Sequence, residues 1–178
     1  MKYANIKYYD ISNGTGVRTS LFVSGCTHRC KGCFNEIAWD FQYGSEFTGE
    51  TIETILSSVA PKYISGLSLL GGEPMEPPSQ RALLPLARLL KERFPEKNIW
   101  CYTGYTYETD LLSPAGRAHC EVTGEFLSYI DVLVDGEFVE ELYDISLPFR
   151  GSKNQRILAL CQEGCPELYP ADGELRPG

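Results

Sequence analysis

Four short apolar runs, each ending in residues of unusual chemistry, constrain this chain more than any other feature. "VRTSLFVS" (Val17 to Ser24) is nearly continuous in apolar character toward its end and leads directly into Cys26, Cys30 and Cys33. "GLSLLGGEP" runs into Gly71-Gly72-Glu73-Pro74, "NIWCYTGY" into Thr103-Gly104-Tyr105, and "YIDVLVDGE" into Asp135-Gly136. Runs of this kind fit strands buried on both faces, as in parallel sheets. Between them lie helical spacings. Ile52, Ile55, Leu56 and Val59 recur at i, i+3, i+4 and i+7, with Thr48 placed to cap. Leu83, Leu86, Ala87, Leu90 and Phe94 continue similarly, and Pro85 either kinks that helix or begins it. "NQRILAL" is a fifth candidate strand. Strands alternating with helices predict an α/β fold with a parallel sheet, and such folds gather ligands at the carboxyl ends of their strands. Every unusual stretch falls there.

The 178 residues suggest one domain, residues 1–160, followed by a Pro-, Gly- and acid-rich tail, 161–178, of no assigned role and expected to be flexible. A net charge of −8 and the lack of a basic block argue against nucleic acid as a partner. No apolar run approaches the roughly 20 residues of a membrane span. "MKYANIKYYD" has no signal-peptide core, so a cytoplasmic location is expected. Seven cysteines cannot all pair within the chain, and clustered thiols in a reducing compartment point to metal binding or catalysis.

Cys26, Cys30 and Cys33 present three thiolates on one loop. Thiolates select zinc, copper(I) or iron–sulfur clusters. A [4Fe–4S] cube takes one thiolate per iron, so three cysteines leave one iron for a non-protein ligand. The competing reading is a structural zinc site, with His28, Cys161 or Cys165 as the fourth ligand. Zinc ligands usually come as two spaced pairs, which this compact triplet is not.

Cys-x₃-Cys-x₂-Cys followed one strand later by "GGEP" resembles the signature of the radical S-adenosylmethionine (SAM) enzymes. With "VLVDGEFVEEL" and "LPFRGSKNQRIL" added, residues 3 to 160 resemble the family that activates the anaerobic (class III) ribonucleoside-triphosphate reductase. That resemblance implies a compact, incomplete parallel (β/α) barrel of about five to six strands. It implies an enzyme with a [4Fe–4S] cluster and SAM as cofactors, held through Cys26, Cys30 and Cys33. The implied reaction is reductive cleavage of SAM and removal of a Cα hydrogen from one reductase glycine. Gly32 and Phe34, flanking the last cysteine, match the SAM-contacting segment. Gly71, Gly72 and Glu73 match the site of the SAM amino group, and Glu73 has helix capping as its alternative role. Thr103, Gly104 and Tyr105 match a strand-end motif facing the cavity, and Asp135 and Gly136 end a later strand in the same position. For Phe34, Tyr105 and Asp135, packing or a plain turn is the competing reading. The partners implied are the reductase and a flavodoxin- or ferredoxin-like electron donor.

Arg150, Lys153 and Arg156 form a basic cluster that is either a solvated loop or a contact to the SAM carboxylate or the reductase. Arg18 needs no function beyond a turn and strand start. Cys101 reads as core, and His119 and Cys120 have no assigned role. The alternatives are another compact radical SAM enzyme (a different glycyl-radical activase, or one like 7-carboxy-7-deazaguanine synthase) and a zinc-binding interaction module.

Overall fold

The computed structural model describes residues 1–160 and 167–168. Eight strands form one sheet: β1 (Lys2–Asp10), β2 (Val17–Val23), β3 (Ser45–Glu46), β4 (Ile64–Gly71), β5 (Asn98–Tyr102), β6 (Val132–Asp135), β7 (Arg156–Ala159) and β8 (Glu167–Leu168). Three α-helices accompany them among the described residues: α1 (Gly49–Val59), α2 (Pro77–Arg93) and α3 (Thr123–Ser128). The strand order is β3-β1-β2-β4-β5-β6-β7-β8, so the sheet is open, with β3 and β8 at its edges. β2, β4, β5 and β6 are mutually parallel. β1, β3, β7 and β8 run antiparallel to their neighbours.

One expectation is corrected, and one strand is added. "NQRILAL" forms β7, but it runs antiparallel to β6 rather than extending the parallel set. A parallel return needs a crossover of a dozen or more residues, usually a helix. Among the described residues the β6–β7 connection contains only a single 3₁₀ turn, Glu140–Leu142. The N-terminal segment, read only as lacking a signal core, is the nine-residue strand β1. Its mostly half-exposed side chains carry little of the apolar pattern that marks a buried strand. The expected tail lies outside the described residues except for β8, which pairs with β7.

The helices cover one face of the sheet. Leu21, Val23, Leu67, Leu69, Ile99, Cys101 and Leu133 alternate along the central strands and join Ile55, Leu56, Leu83, Leu86 and Leu90 in one buried cluster. Thr48 caps α1 through a reciprocal bond pair with Thr51, as its position suggested. α2 begins at Pro77 and continues through Pro85, which faces solvent, so the carbonyl that loses its partner can be hydrated. Cys101 is fully buried, as expected.

The opposite face is polar at its base. Arg18 is wholly buried; its guanidinium donates to Ser68 Oγ (2.7 Å), Leu67 O (2.8 Å) and Asn98 Oδ1 (2.7 Å). It thereby ties β2, β4 and β5 together beneath the Trp100 ring, a far larger role than the strand start assigned to it. Asp10 is also fully buried. It accepts bonds from Ser12 N (3.0 Å), Asn13 Nδ2, Lys7 Nζ (2.9 Å) and Ser20 Oγ (2.6 Å). Burial opposes its ionisation, but those donors prevail and hold its pKa far below the usual carboxylate value. A depressed pKa adds stability above the unfolded value of about 4 and loses it as pH falls through the folded value. Asp10→Asn should therefore cost about 1–3 kcal/mol at pH 7. The gap to wild type, measured by urea unfolding, should narrow as pH drops below about 4.

Candidate metal centre

The carboxyl ends of β2, β4, β5 and β6 open onto one cavity of ≈ 690 Å³. The loop after β2 contributes Cys26, Cys30, Cys33 and Phe34. The loop after β4 contributes Gly71, Gly72 and Glu73, and the ends of β5 and β6 contribute Thr103, Gly104 and Gly136. The segment between β6 and β7 closes the far side with Phe138, Tyr143, Phe149 and Arg150.

The first two loops lie backbone against backbone. Gly72 N donates to Val23 O (2.7 Å) and Glu73 N to Gly25 O (2.8 Å). A Cβ on Gly72 would stand 2.5 Å from Gly25 O, so only glycine permits this approach. Glu73 then joins a third strand end. Glu73 is 1% exposed, and its carboxylate accepts from Met75 N (2.8 Å) and Gly104 N (2.8 Å). His28, from the cysteine loop, brings Nε2 within 3.1 Å of the same carboxylate. Burial disfavours a charge on His28, but the Glu73 carboxylate overrides this and raises its pKa. Gly104 leaves room for the imidazole, since a Cβ there would meet the ring at 2.8 Å. Glu76 holds the neighbouring residue, accepting from Thr27 N (2.9 Å) and Thr27 Oγ1 (2.5 Å).

The expected site residues divide into two groups. Cys26, Cys30, Cys33, Phe34, Gly71, Gly72, Glu73 and Thr103 line the cavity. Gly32, Tyr105 and Asp135 are not among its lining residues. Gly32 is exposed and faces Glu140. Tyr105 is buried behind His28, with ring centroids 4.3 Å apart, and serves as packing. Asp135 is buried in an ion pair with Arg156 (Oδ1 to Nε, 2.9 Å) and accepts from Tyr107 N (2.9 Å), because the strand's alternation turns it to the helix side. Arg156 is further paired with Glu108 (2.7 Å) and Lys153 with Asp144 (3.5 Å), so of the basic cluster only Arg150 reaches the cavity. His119 Nδ1 meets Leu111 O (2.7 Å), and Cys120 lies against Gln80 and Thr123. Sequence reasoning missed the bracing by His28 and Glu76, and also Tyr102, which lines the cavity. The Tyr102 hydroxyl and Arg150 Nε are buried with no protein partner. The available signal was strand alternation, which sets Tyr102 opposite the core residue Cys101.

Three thiols on one loop suit a soft metal centre. On a single tetrahedral zinc with bonds of ~2.3 Å, thiolates stand about 3.8 Å apart. Among the described residues no three His, Cys, Asp or Glu side chains converge on a point suited to one ion. His28, the candidate zinc ligand, is directed to Glu73. Burial, then the Glu73 charge, pushes the Cys26 thiol up to about 12; burial, then Glu137, pushes Cys30 to about 11. Such thiols keep their protons until a cationic centre replaces them.

Residues 12–158 match the family model of the 4Fe-4S single cluster domain. The chain is 43% identical over 156 residues to the anaerobic ribonucleoside-triphosphate reductase-activating protein of Haemophilus influenzae, covering 85% of this chain and 95% of that one. The proteins of the same name from Vibrio cholerae and Enterobacteria phage T4 are 42% and 40% identical. Each match covers 88% of this chain, with 97% of the first relative and 93% of the second. The chain belongs to the family of anaerobic ribonucleoside-triphosphate reductase-activating proteins.

Membership in this activating-protein family, with its 4Fe-4S domain, supplies an iron–sulfur cluster as the metal centre and identifies the chain as an enzyme of activation. No described helix is long and apolar enough to cross a membrane. The bracing predicts a graded response at Glu73. Glu73→Ala leaves two buried N–H groups without their acceptor and His28 without its ionic partner, and should cost about 2–4 kcal/mol in thermal unfolding. Glu73→Gln, which keeps one acceptor oxygen, should cost less than half as much.

Proposed function

We propose that this protein is a radical SAM activase of the anaerobic ribonucleoside-triphosphate reductase, built on an incomplete (β/α) barrel formed by residues 1–160. The observation that carries the reading is a cavity walled by three cysteines, with no fourth among the described residues. Among the described residues Cys101 is core and Cys120 lies away from the cavity, so one corner of a cube is left to a small molecule. Cys161 and Cys165 lie outside the described residues. When bound, the [4Fe–4S] cluster and SAM supply a 5′-deoxyadenosyl radical, which takes the Cα hydrogen of one reductase glycine and leaves a glycyl radical.

The chain's own residues bind and orient. Cys26, Cys30 and Cys33 hold three corners of the cube. Gly71 and Gly72 bring backbone close to the SAM amino group, with the buried Glu73 charge beside it. Phe34, packed on Phe138 and Tyr143 at 5.4 and 5.8 Å, walls the cavity mouth, and Thr103 lines its floor. The unpartnered Tyr102 hydroxyl and Arg150 Nε are donors for an acceptor-rich ligand. The target is the glycine-bearing segment of the reductase, and a glycine has no side chain to keep its Cα from the reacting carbon. The electron comes from a flavodoxin- or ferredoxin-like donor. The reaction belongs in the cytoplasm, where thiols stay reduced.

Anaerobically loaded protein, SAM, reductant and reductase should together give a glycine-centred doublet in electron paramagnetic resonance. Cys26→Ala, Cys30→Ala and Cys33→Ala should each abolish both SAM cleavage and the cluster's visible absorbance. SAM cleavage without the doublet would remove the reductase as target, and a colourless protein with stoichiometric zinc would remove the cluster.

A further inference from the structure

The cysteine loop has two sides, and the second faces away from the cavity. There Cys26, Arg29, Ile37, Trp39, Phe41 and Tyr43 line an outer hollow of ≈ 870 Å³. Cys26 and Trp39 belong to both spaces, so one cluster ligand is reached from either side of the loop. We infer that this outer hollow is the docking surface for a small one-electron carrier protein that reduces the cluster. The inference rests on the proposed function, which commits the inner cavity to SAM and the target glycine and leaves the outer side as the route for electrons.

The wall of the hollow is fastened to the metal loop. Gly25 N donates to Ala38 O (2.8 Å) and Cys26 N to Trp39 O (3.2 Å). The Phe41 ring lies over Gly25, where a Cβ would stand 2.2 Å from it. A carrier resting on Phe41 and Trp39 is therefore one van der Waals contact or one hydrogen bond from the backbone around Cys26. Electron tunnelling falls steeply with every gap through space, so this path favours transfer.

The surface also has the character of a transient redox contact. Ile37 is 57%, Phe41 38% and Tyr43 36% exposed, an apolar centre of a few side chains. Arg29, Glu36 and Asp40 set charges of both signs around it. A patch this small suits the interfaces below ~1,200 Å² typical of electron-transfer encounters, not a permanent assembly. Mixed charges orient a partner without holding it. Another exposed aromatic pair, Tyr9 stacked on Tyr63, sits where β1 ends and β4 is about to begin, at the end of the sheet away from the metal loop. With a flavodoxin as carrier, the fully reduced flavin anion loses one electron and the cluster gains it. No bond forms or breaks, and no proton moves.

The test uses Ile37→Ser, Tyr43→Ser and the double variant, each in the cluster-loaded protein. Fully reduced flavodoxin is mixed with oxidised protein, and bleaching of the cluster's visible absorbance is followed by stopped flow. The double variant should be reduced about tenfold more slowly at sub-saturating flavodoxin, equivalent to ~1.4 kcal/mol of lost contact. Calorimetric titration of oxidised flavodoxin onto oxidised, SAM-free protein should show the same weakening. Dithionite, which needs no docking surface, should reduce wild type and variants alike. Unchanged flavodoxin rates in the double variant overturn the inference. So does a variant that loses affinity for the reductase, or for a second copy of the chain, while keeping its flavodoxin rate. Wild-type protein that dithionite reduces but that cannot cleave SAM would defeat the proposed function alone, because the docking readouts need no SAM.

Discussion

A single buried carboxylate joins the parts of this site. Glu73 leaves β4 and accepts from the backbone at the entrance to α2 and at the end of β5, and His28 reaches it from the cysteine loop. Three strand ends therefore converge on one negative charge. In a low-dielectric interior such a charge is costly without donors, and the fold supplies them. The same demand fixes its neighbours: glycine at 72 so that two backbones can touch, and glycine at 104 so that the imidazole has room. The cysteine loop, which is mostly irregular, is held in place by these contacts and by the 3₁₀ turn Glu36–Trp39, and not by regular structure of its own.

The sheet serves two purposes on its two faces. The helix-covered face is apolar and continuous, and it supplies most of the buried core. The opposite face begins with the buried Arg18 and Asp10 networks, passes the Trp100 cluster, and ends in the cavity. Charges buried at its base are tolerated because each is surrounded by donors or acceptors from two strands and the turn between β1 and β2. That leaves the strand ends free to carry polar backbone, glycine and thiol groups that no packed core would accept. The β6–β7 segment then closes the far wall, with Lys31 and Glu140 joined at 2.9 Å across the cysteine loop.

Much of the fold was legible because its signals are local. Apolar runs marked β2, β4, β5 and β6, and helical spacing marked α1 and α2, each signal residing in adjacent residues. The direction of β7 was not legible. It depends on the length and content of the connection before it, and a strand has the same pattern in either direction. β1 escaped notice because a strand next to the sheet edge whose side chains are half-buried or exposed need not alternate strongly. At the site, the three cysteines and Gly71-Gly72-Glu73 announced themselves by residue type. Tyr105 and Asp135 did not separate from true lining residues, because adjacent positions on a strand end point to opposite faces and the register is set only by the packed sheet.

The chain's sequence alone determined the chemistry it can perform: three closely spaced thiols, glycines at strand ends, and a net charge of −8. Those properties belong to individual side chains and to their order along the backbone. Tertiary structure decided which groups share a space: that Glu73 is a strut, that Asp135 is spent on Arg156, that Arg18 binds three strands, and that Cys26 faces two hollows. Such outcomes depend on distances between residues far apart in the chain. Those distances exist only once the sheet has set its register and the loops have closed upon one another.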